Sequence, residues 1–134
     1  MNAISAQASG FAATVRGGDG SGGWVLAAER TTGREECAEW LRNSALRLAV
    51  RLDPGPAVTW APPSLVRPVF GSGPDAPATL RAWAEDQDRQ RATFELLAWE
   101  IPFTLRFPDR GGAWYELAAA PIPSPTYPSS GPTP

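Results

Sequence analysis

The side chains of this sequence that could do chemistry are a single cysteine, fourteen carboxylates and twelve cations, all of which are arginine. The sequence contains no histidine and no lysine. Within it, therefore, no imidazole can act as a general base or a metal ligand, and no lysine can form a Schiff base or bind phosphate in a P-loop. These absences exclude the commonest residue combinations for nucleophilic catalysis.

A glycine-rich run at residues 18–23, Gly-Asp-Gly-Ser-Gly-Gly, matches the pattern G-x-G-x-x-G. That pattern binds a dinucleotide only between a strand and a helix, and here a strand-like stretch beginning at Trp24 follows instead. The run also resembles the Gly-Asp-Ser-Gly-Gly of serine proteases with one glycine inserted, but no triad can be completed without histidine. We interpret the run as the flexible tip of a β-hairpin, or as a loop that becomes ordered on a neighbouring subunit.

The single cysteine, Cys37, occupies an apolar position near the start of a predicted helix. A helix N-terminus lowers a thiol pKa, but the neighbouring Glu35, Glu36 and Glu39 act in the opposite direction. No histidine is present to activate the thiol, and no second cysteine is present to form an internal disulfide. We therefore expect Cys37 to be a buried, inert core residue.

Two groups of carboxylates are candidates for a divalent cation, since hard cations prefer oxygen ligands. One group is Glu85, Asp86 and Asp88, and the other is Asp19 in its glycine-rich loop. Neither has the ligand spacing of an EF-hand, so solvated surface charge is the preferred interpretation. We expect no cofactor and no metal.

Length and charge define the broad class of the protein. A chain of 134 residues with a formal charge of −2 fits one globular domain, and its charge argues against a dedicated nucleic-acid binder. No apolar run approaches the roughly 18 residues of a membrane span, and the first ten residues lack the features of a signal peptide. We therefore expect cytoplasmic synthesis and no membrane partner.

The first half of the chain predicts a β-hairpin followed by a helix. Residues 11–16 alternate in polarity and residues 24–30 resume a strand after the glycine-rich run. Thr32, with Glu35 three residues later, predicts a capping box. The helix over residues 34–52 carries an apolar stripe that includes Trp40, and the sequence Asp-Pro-Gly-Pro at 53–56 ends it.

The second half predicts further strands around an ambiguous segment. Short strands are expected at 57–60 and 65–70, then a loop over 71–77, and residues 78–91 favour a helix over a strand. Alternating large apolar residues predict a half-buried strand over 97–107 and a returning strand over 113–120, joined by a turn at 109–112. On this pattern Trp99 points into the core.

The fold class predicted is α+β: a mostly antiparallel sheet or small β-sandwich of five to seven strands, packed by the helix at 34–52. A single domain is expected over residues 11–120. Residues 1–10 predict an extended N-terminal arm. Residues 121–134 contain six prolines and no charged residue, so they predict an extended C-terminal tail.

The candidate interface residues are aromatic residues near turns and residues of the proline-rich tail. They are Trp24, Trp60, Trp114, Pro125, Tyr127 and Pro128. Tryptophan near a strand end can line a ligand site or anchor a protein interface. The tail contains a P-x-x-P sequence but has no flanking cation, so we interpret it as a solubilising tail or a strap on a neighbouring subunit.

The function expected from these features is that of a non-catalytic structural subunit, which works through contacts with other protein subunits in a homo-oligomer or larger assembly. A compact β core with terminal arms is typical of small bacteriophage tail, neck or capsid-associated components, which is an analogy of architecture. The first alternative is a domain that binds a small ligand in a tryptophan-lined pocket between helix and sheet. The second is a histidine-free enzyme that uses carboxylates.

Overall fold

A computed structural model describes residues 8–53 and 73–123. The chain order is β1 (Ala8–Asp19), β2 (Gly22–Thr31), α1 (Arg34–Leu52), α2 (Ala76–Glu85), α3 (Gln87–Ala98), β3 (Phe103–Pro108), a short 3-10 turn (Arg110–Gly112) and β4 (Trp114–Pro123). The predicted α+β class is therefore confirmed, with the main helix over the predicted residues.

The four strands form one antiparallel sheet in the order β2-β1-β4-β3. Two hairpins, β1–β2 and β3–β4, meet where β1 pairs with β4, with Val15 opposite Leu117 and Ala13 opposite Ala119. These four side chains are buried beneath the helices. The intervening residues of the central strands carry small or charged side chains on the other face, which no described element covers.

The core lies between the sheet and the three helices. Helix α1 contributes a stripe spaced by four residues, Cys37, Leu41, Ala45 and Ala49, each fully buried. Helix α2 contributes Trp83, whose ring lies 6.0 Å from that of Phe103 and 6.4 Å from that of Phe107. Helix α1 packs mainly over β1, whereas α2 and α3 pack over β3 at the far side of the sheet.

The N-terminus of α1 differs from the predicted capping box. The N-cap is Gly33, and Thr32 interacts with Glu36 rather than with Glu35. Both the backbone N–H and the hydroxyl of Thr32 donate to Oε1 of Glu36, at 3.0 Å and 2.8 Å. These two hydrogen bonds stabilise the carboxylate and hold the pKa of Glu36 below its ordinary value. The helix begins one residue later than a threonine cap would place it.

The ambiguous segment is helical but consists of two helices. Helix α2 starts at Ala76, within the predicted loop, and Asp75 caps it by accepting from the N–H of Ala78 at 3.2 Å. The break falls at Asp86, whose carboxylate accepts from the N–H groups of Asp88 and Arg89. Asp86 therefore acts as the N-cap of α3.

The predicted strand over 97–107 is wrong in its first half. Leu97 is buried in the last turn of α3, one turn after the buried Thr93, and the helix ends at Ala98 with Trp99 as its C-cap. Glu100 then adopts φ 58°, so the chain turns before β3 begins at Phe103. The large residues from Leu97 to Phe107 alternate only by coincidence. Leu97 belongs to the buried side of helix α3, and the strand begins only at Phe103. As a result Trp99 is 79% exposed and does not enter the core.

The predicted hairpin loop, terminal arms and number of strands differ from the structure in their extent. The hairpin tip is short, since β1 continues to Asp19 and β2 starts at Gly22. Residues 8–10 and 121–123 of the predicted arms belong to the sheet, and the rest of both arms lies outside the described residues. The strands expected at 57–60 and 65–70 also lie outside them. The described residues contain four strands in one sheet, fewer than five to seven and not a sandwich.

Replacement of Leu41 by alanine tests the packing of α1. Leu41 is fully buried, so the change leaves a cavity and is expected to lower the free energy of unfolding by about 2–5 kcal/mol. Val50→Ala on the exposed face of the same helix is the control, with an expected change below about 0.5 kcal/mol. Urea unfolding followed by circular dichroism measures both. Equal effects of the two changes would contradict this packing.

Candidate functional site

Strand β2 is the most exposed element of the sheet. It lies at one edge, and nine of its ten residues, from Gly22 to Arg30, are exposed. Three of these residues are large and apolar: Trp24 is 52%, Val25 59% and Leu26 44% exposed. An edge strand also presents unpaired backbone N–H and C=O groups along its free side. Apolar side chains and available hydrogen bonds therefore occur on the same strand.

A β-bulge in β2 changes the direction of its side chains. Val15 pairs with Ala27 and Arg16 pairs with Val25, which leaves Leu26 as an extra residue without its own partner on β1. Because of this extra residue, Leu26 and Ala27 both line the side of the strand that faces helix α1. The bulge thus adds a large apolar side chain to the helix-facing side of the sheet edge.

These side chains form one side of a groove of about 410 Å³ between β2 and the C-terminal half of α1, which we call the β2–α1 groove. The sheet contributes Val15, Trp24, Leu26, Ala27 and Tyr115, and the helix contributes Ser44, Arg47, Leu48, Arg51 and Leu52. Its surface is mainly apolar, and among the described residues that line it the ionisable side chains are the Tyr115 phenol and the two arginines. The groove therefore combines apolar surface with positive charge.

The two arginines of the groove are available for a partner. Arg47 donates to the hydroxyl of Ser44 at 3.3 Å, within its own helix. Among the described residues, no carboxylate lies within ion-pair distance of either Arg47 or Arg51. By contrast, Arg81 on α2 is held by Asp53, whose carbonyl oxygen accepts its N–H at 2.7 Å. An anionic group that entered the groove would therefore meet uncompensated positive charge.

Trp114 lies at the same end of the sheet as Trp24 but on the opposite face. Trp114 pairs with Gly18 on β1, whereas Trp24 pairs with the adjacent residue Gly17, and adjacent residues of a strand face opposite sides. The guanidinium of Arg106 lies 4.0 Å from the centre of the Trp114 ring. The same guanidinium contacts Glu116 at 3.3 Å. Trp114 is thus a packed side chain of the outer face, and the structure does not bring it together with Trp24.

The glycines of the hairpin accommodate this packing. A Cβ atom at Gly18 would collide with the Trp114 ring and with the carbonyl oxygen of Gly22, and one at Gly23 would lie 2.8 Å from the ring. Gly18 and Gly23 therefore belong to the paired strands, and the hairpin tip is shorter than the glycine-rich run. At the tip itself, the carboxylate of Asp19 accepts from the N–H and hydroxyl of Ser21, which holds its pKa below the ordinary value.

The remaining candidates are distributed as follows. Trp60, Pro125, Tyr127 and Pro128 lie outside the described residues. Trp99 was not among the predicted interface residues, although it is the most exposed large apolar side chain described. The helical spacing of Thr93 and Leu97 was the signal that places it away from the core.

The residues considered for catalysis or metal binding do not form a site. Cys37 is buried, and burial raises the pKa of its thiol, as expected for an inert core residue. Asp86 serves as a helix cap, and Asp88 lies 3.8 Å from Arg91 on the surface. Within residues 8–53 and 73–123, no three metal-ligating side chains are grouped closely enough to hold an ion.

Comparison of the chain with protein-family models, with curated proteins and with solved structures finds no match. Of the helices described, none has the length and apolar character needed to cross a membrane. The exposed β2 edge and the groove beside it are the most distinctive surface features of the described residues.

Replacement of Gly18 by alanine tests the role of the glycine-rich hairpin. The new methyl group must displace the Trp114 ring, so we expect a loss of about 1–3 kcal/mol in the free energy of unfolding. Gly20→Ala in the turn is the matched control, because a Cβ there meets nothing within 4 Å. Thermal unfolding of both variants gives the comparison. A flexible, unpacked hairpin would tolerate the two changes equally.

Proposed function

We propose that this protein is a non-catalytic subunit of a homo-oligomeric assembly, in which each copy binds another through the β2 edge and the β2–α1 groove. The observation that carries the proposal is the exposure of nine consecutive residues of β2, including Trp24, Val25 and Leu26. Proteins usually shorten, charge or cover such edges, because an exposed apolar edge strand pairs with other chains. A binding role accounts for an edge that is long, apolar and covered by none of the described elements.

The contact would gain free energy from two sources. Each 100 Å² of apolar surface removed from water contributes on the order of 2.5 kcal/mol, and Trp24 and Leu26 provide much of the available surface. A partner strand would add backbone hydrogen bonds to the free side of β2. The bulge at Leu26 interrupts the regular edge, which restricts indiscriminate pairing and makes side-chain fit in the groove more important.

The larger setting is a second part of the proposal. A bacteriophage particle was the setting expected from the combination of a compact core and terminal arms, and only that architectural analogy supports it. The exposed β2 edge supports subunit contact in general and is not specific to a virion. Residues 1–7 and 124–134, which make up the rest of the two predicted arms, lie outside the described residues.

The groove also favours one alternative function, the binding of a small amphipathic acid. Its volume of about 410 Å³ falls within the range of small-ligand sites, roughly 300–1,000 Å³. Trp24 would contact the apolar part of such a ligand, and Arg47 with Arg51 would contact its carboxylate. We place this alternative second because it leaves the exposed outer side of β2, including Val25, without a role.

Leu26→Asp tests the assembly role by size-exclusion chromatography with light scattering. At about 100 µM we expect the unmodified chain to exceed its monomer mass of 14.3 kDa and the variant to remain monomeric. Leu26 is 44% exposed, so the fold should be retained, as circular dichroism can verify. Ala82→Asp, at an exposed position of α2, is the control and should assemble normally.

An unmodified chain that stays monomeric at every concentration would contradict the assembly role. If that monomer also showed saturable changes in tryptophan fluorescence with dodecanoate, the small-ligand alternative would replace it.

A further inference from the structure

The exposed large apolar side chains fall into two groups. One group is at the β2–α1 groove and the adjacent surface, and it comprises Trp24, Val25, Leu26 and Val50. The other consists of Trp99 and Ile101, in the connection between α3 and β3. Scattered exposed apolar residues need no explanation, but tryptophans at two separate places on a small domain point to two contact surfaces.

These two surfaces lie at opposite ends of the strands. Trp24 pairs with Gly17 at one end of the β1–β2 hairpin, and Thr31 pairs with Phe11 at the other end, about 20 Å away at the usual rise per residue. Glu100, next to Trp99, lines a shallow recess together with Phe11. The Trp99 surface is therefore at the Thr31 end of the molecule, and the groove is at the Trp24 end.

The charges along helix α1 change from negative near the Thr31 end to positive at the groove. Helix α1 starts at the Thr31 end with Glu35 and Glu36 and finishes at the groove with Arg47 and Arg51. Glu95 is exposed one helical turn before Trp99, so both lie on the same side of α3.

Two arginines also lie at this end: Arg30, next to Thr31 in β2, and Arg34, whose guanidinium lies 5.2 Å from the centre of the Phe94 ring. Each end therefore carries an exposed tryptophan, with the carboxylate of Glu95 beside Trp99 and with Arg47 and Arg51 in the groove beside Trp24. Such a pattern is complementary between copies.

We infer that the partner of the β2–α1 groove is a second copy of this chain, which inserts its Trp99 surface. This inference rests on the proposed assembly role and specifies the surface through which the second copy binds. In the contact, the Trp99 indole packs against Trp24 and Leu26, and Glu95 approaches Arg47 and Arg51. An aromatic anchor in an apolar groove with a charged rim is the usual composition of an energetically dominant interface centre.

The charges also distinguish this contact from a symmetric one. A two-fold dimer through the groove would bring Arg47 and Arg51 of both copies together, and like charges in close contact oppose association. A head-to-tail contact instead places arginines against carboxylates. Because it uses different surfaces on the two copies, each added copy leaves one groove and one Trp99 surface free, so the assembly continues as a chain or closes as a ring.

Two complementary variants test the head-to-tail contact. Leu26→Asp blocks the groove and leaves the Trp99 surface intact, whereas Trp99→Asp blocks that surface and leaves the groove intact. Each variant alone should be monomeric at about 100 µM by light scattering. An equimolar mixture should form a species of twice the monomer mass and nothing larger, because only one intact contact is possible. Ala82→Asp is again the control and should grow as the unmodified chain does.

Charge exchange gives a second readout that a merely structural role would not produce. Arg47→Glu and Glu95→Arg should each weaken association about ten-fold. The double variant should recover part of the loss, since opposite charges are restored between positions 47 and 95 while Arg51 stays cationic. Association constants come from dilution series by sedimentation velocity. Both positions are exposed, so circular dichroism should show an unchanged fold.

The outcomes separate this inference from the proposed function. If Trp99→Asp assembles like the unmodified chain while Leu26→Asp does not, the groove is a contact surface but Trp99 does not occupy it, and the inference fails alone. It also fails alone if both variants are monomeric and their mixture remains so. If the unmodified chain never exceeds the monomer mass, both proposals fail.

Discussion

The position of helix α1 over strand β1 determines how much of the sheet is covered. An α-helix with its side chains is about 10–12 Å wide and neighbouring strands lie about 4.8 Å apart, so one helix covers about two strands. The small residues Ala45 and Ala49 let α1 approach β1 closely, and α2 and α3 occupy the side nearer β3. No described helix then remains for the far side of β2. The groove beside β2 forms because helix α1 is too narrow to cover this strand as well.

Strand β2, which no described helix covers, is nevertheless packed on both faces at the end that carries Trp24. Gly17 and Gly18 let Tyr115 and Trp114 pack against opposite faces of the hairpin, and Arg106 covers the Trp114 ring. The bulge at Leu26 is fixed between two regular stretches of pairing with β1. The exposure of Trp24 therefore belongs to an ordered surface. An ordered apolar surface beside two arginines is suited to selective binding, because little conformational entropy is lost when a partner arrives.

Local signals in the sequence predicted the elements well where two or more of them agreed. Helix α1 has a four-residue stripe, acidic residues at its start and Asp53-Pro54 after its end, and its span over residues 34–52 was predicted although its cap was not. The strand predicted from Leu97 failed because two periods overlap there. Leu97 follows Thr93 with helical spacing, and it also starts an accidental alternation through Trp99.

The candidate site was only partly predictable. Trp24 was identified because a large aromatic residue follows a glycine-rich turn. The groove depends on which residues of α1 face β2 and on the bulge at Leu26, and neither is encoded in a local pattern. The change from carboxylates to arginines along α1, from Glu35 to Arg51, was visible in the sequence. The relation of these charges to a contact surface could not be predicted, because Trp99 was wrongly assigned to the core.

Hydrogen–deuterium exchange at two protein concentrations tests the central claim most directly, since it locates the surface that becomes covered. At about 1 µM, amides on the free side of β2 should exchange rapidly while the amides that pair β1 with β4 stay protected. At about 200 µM, peptides that cover β2 and peptides that cover the Trp99 region should both gain protection, without change in β1. Exchange in β2 that is identical at both concentrations would contradict the account.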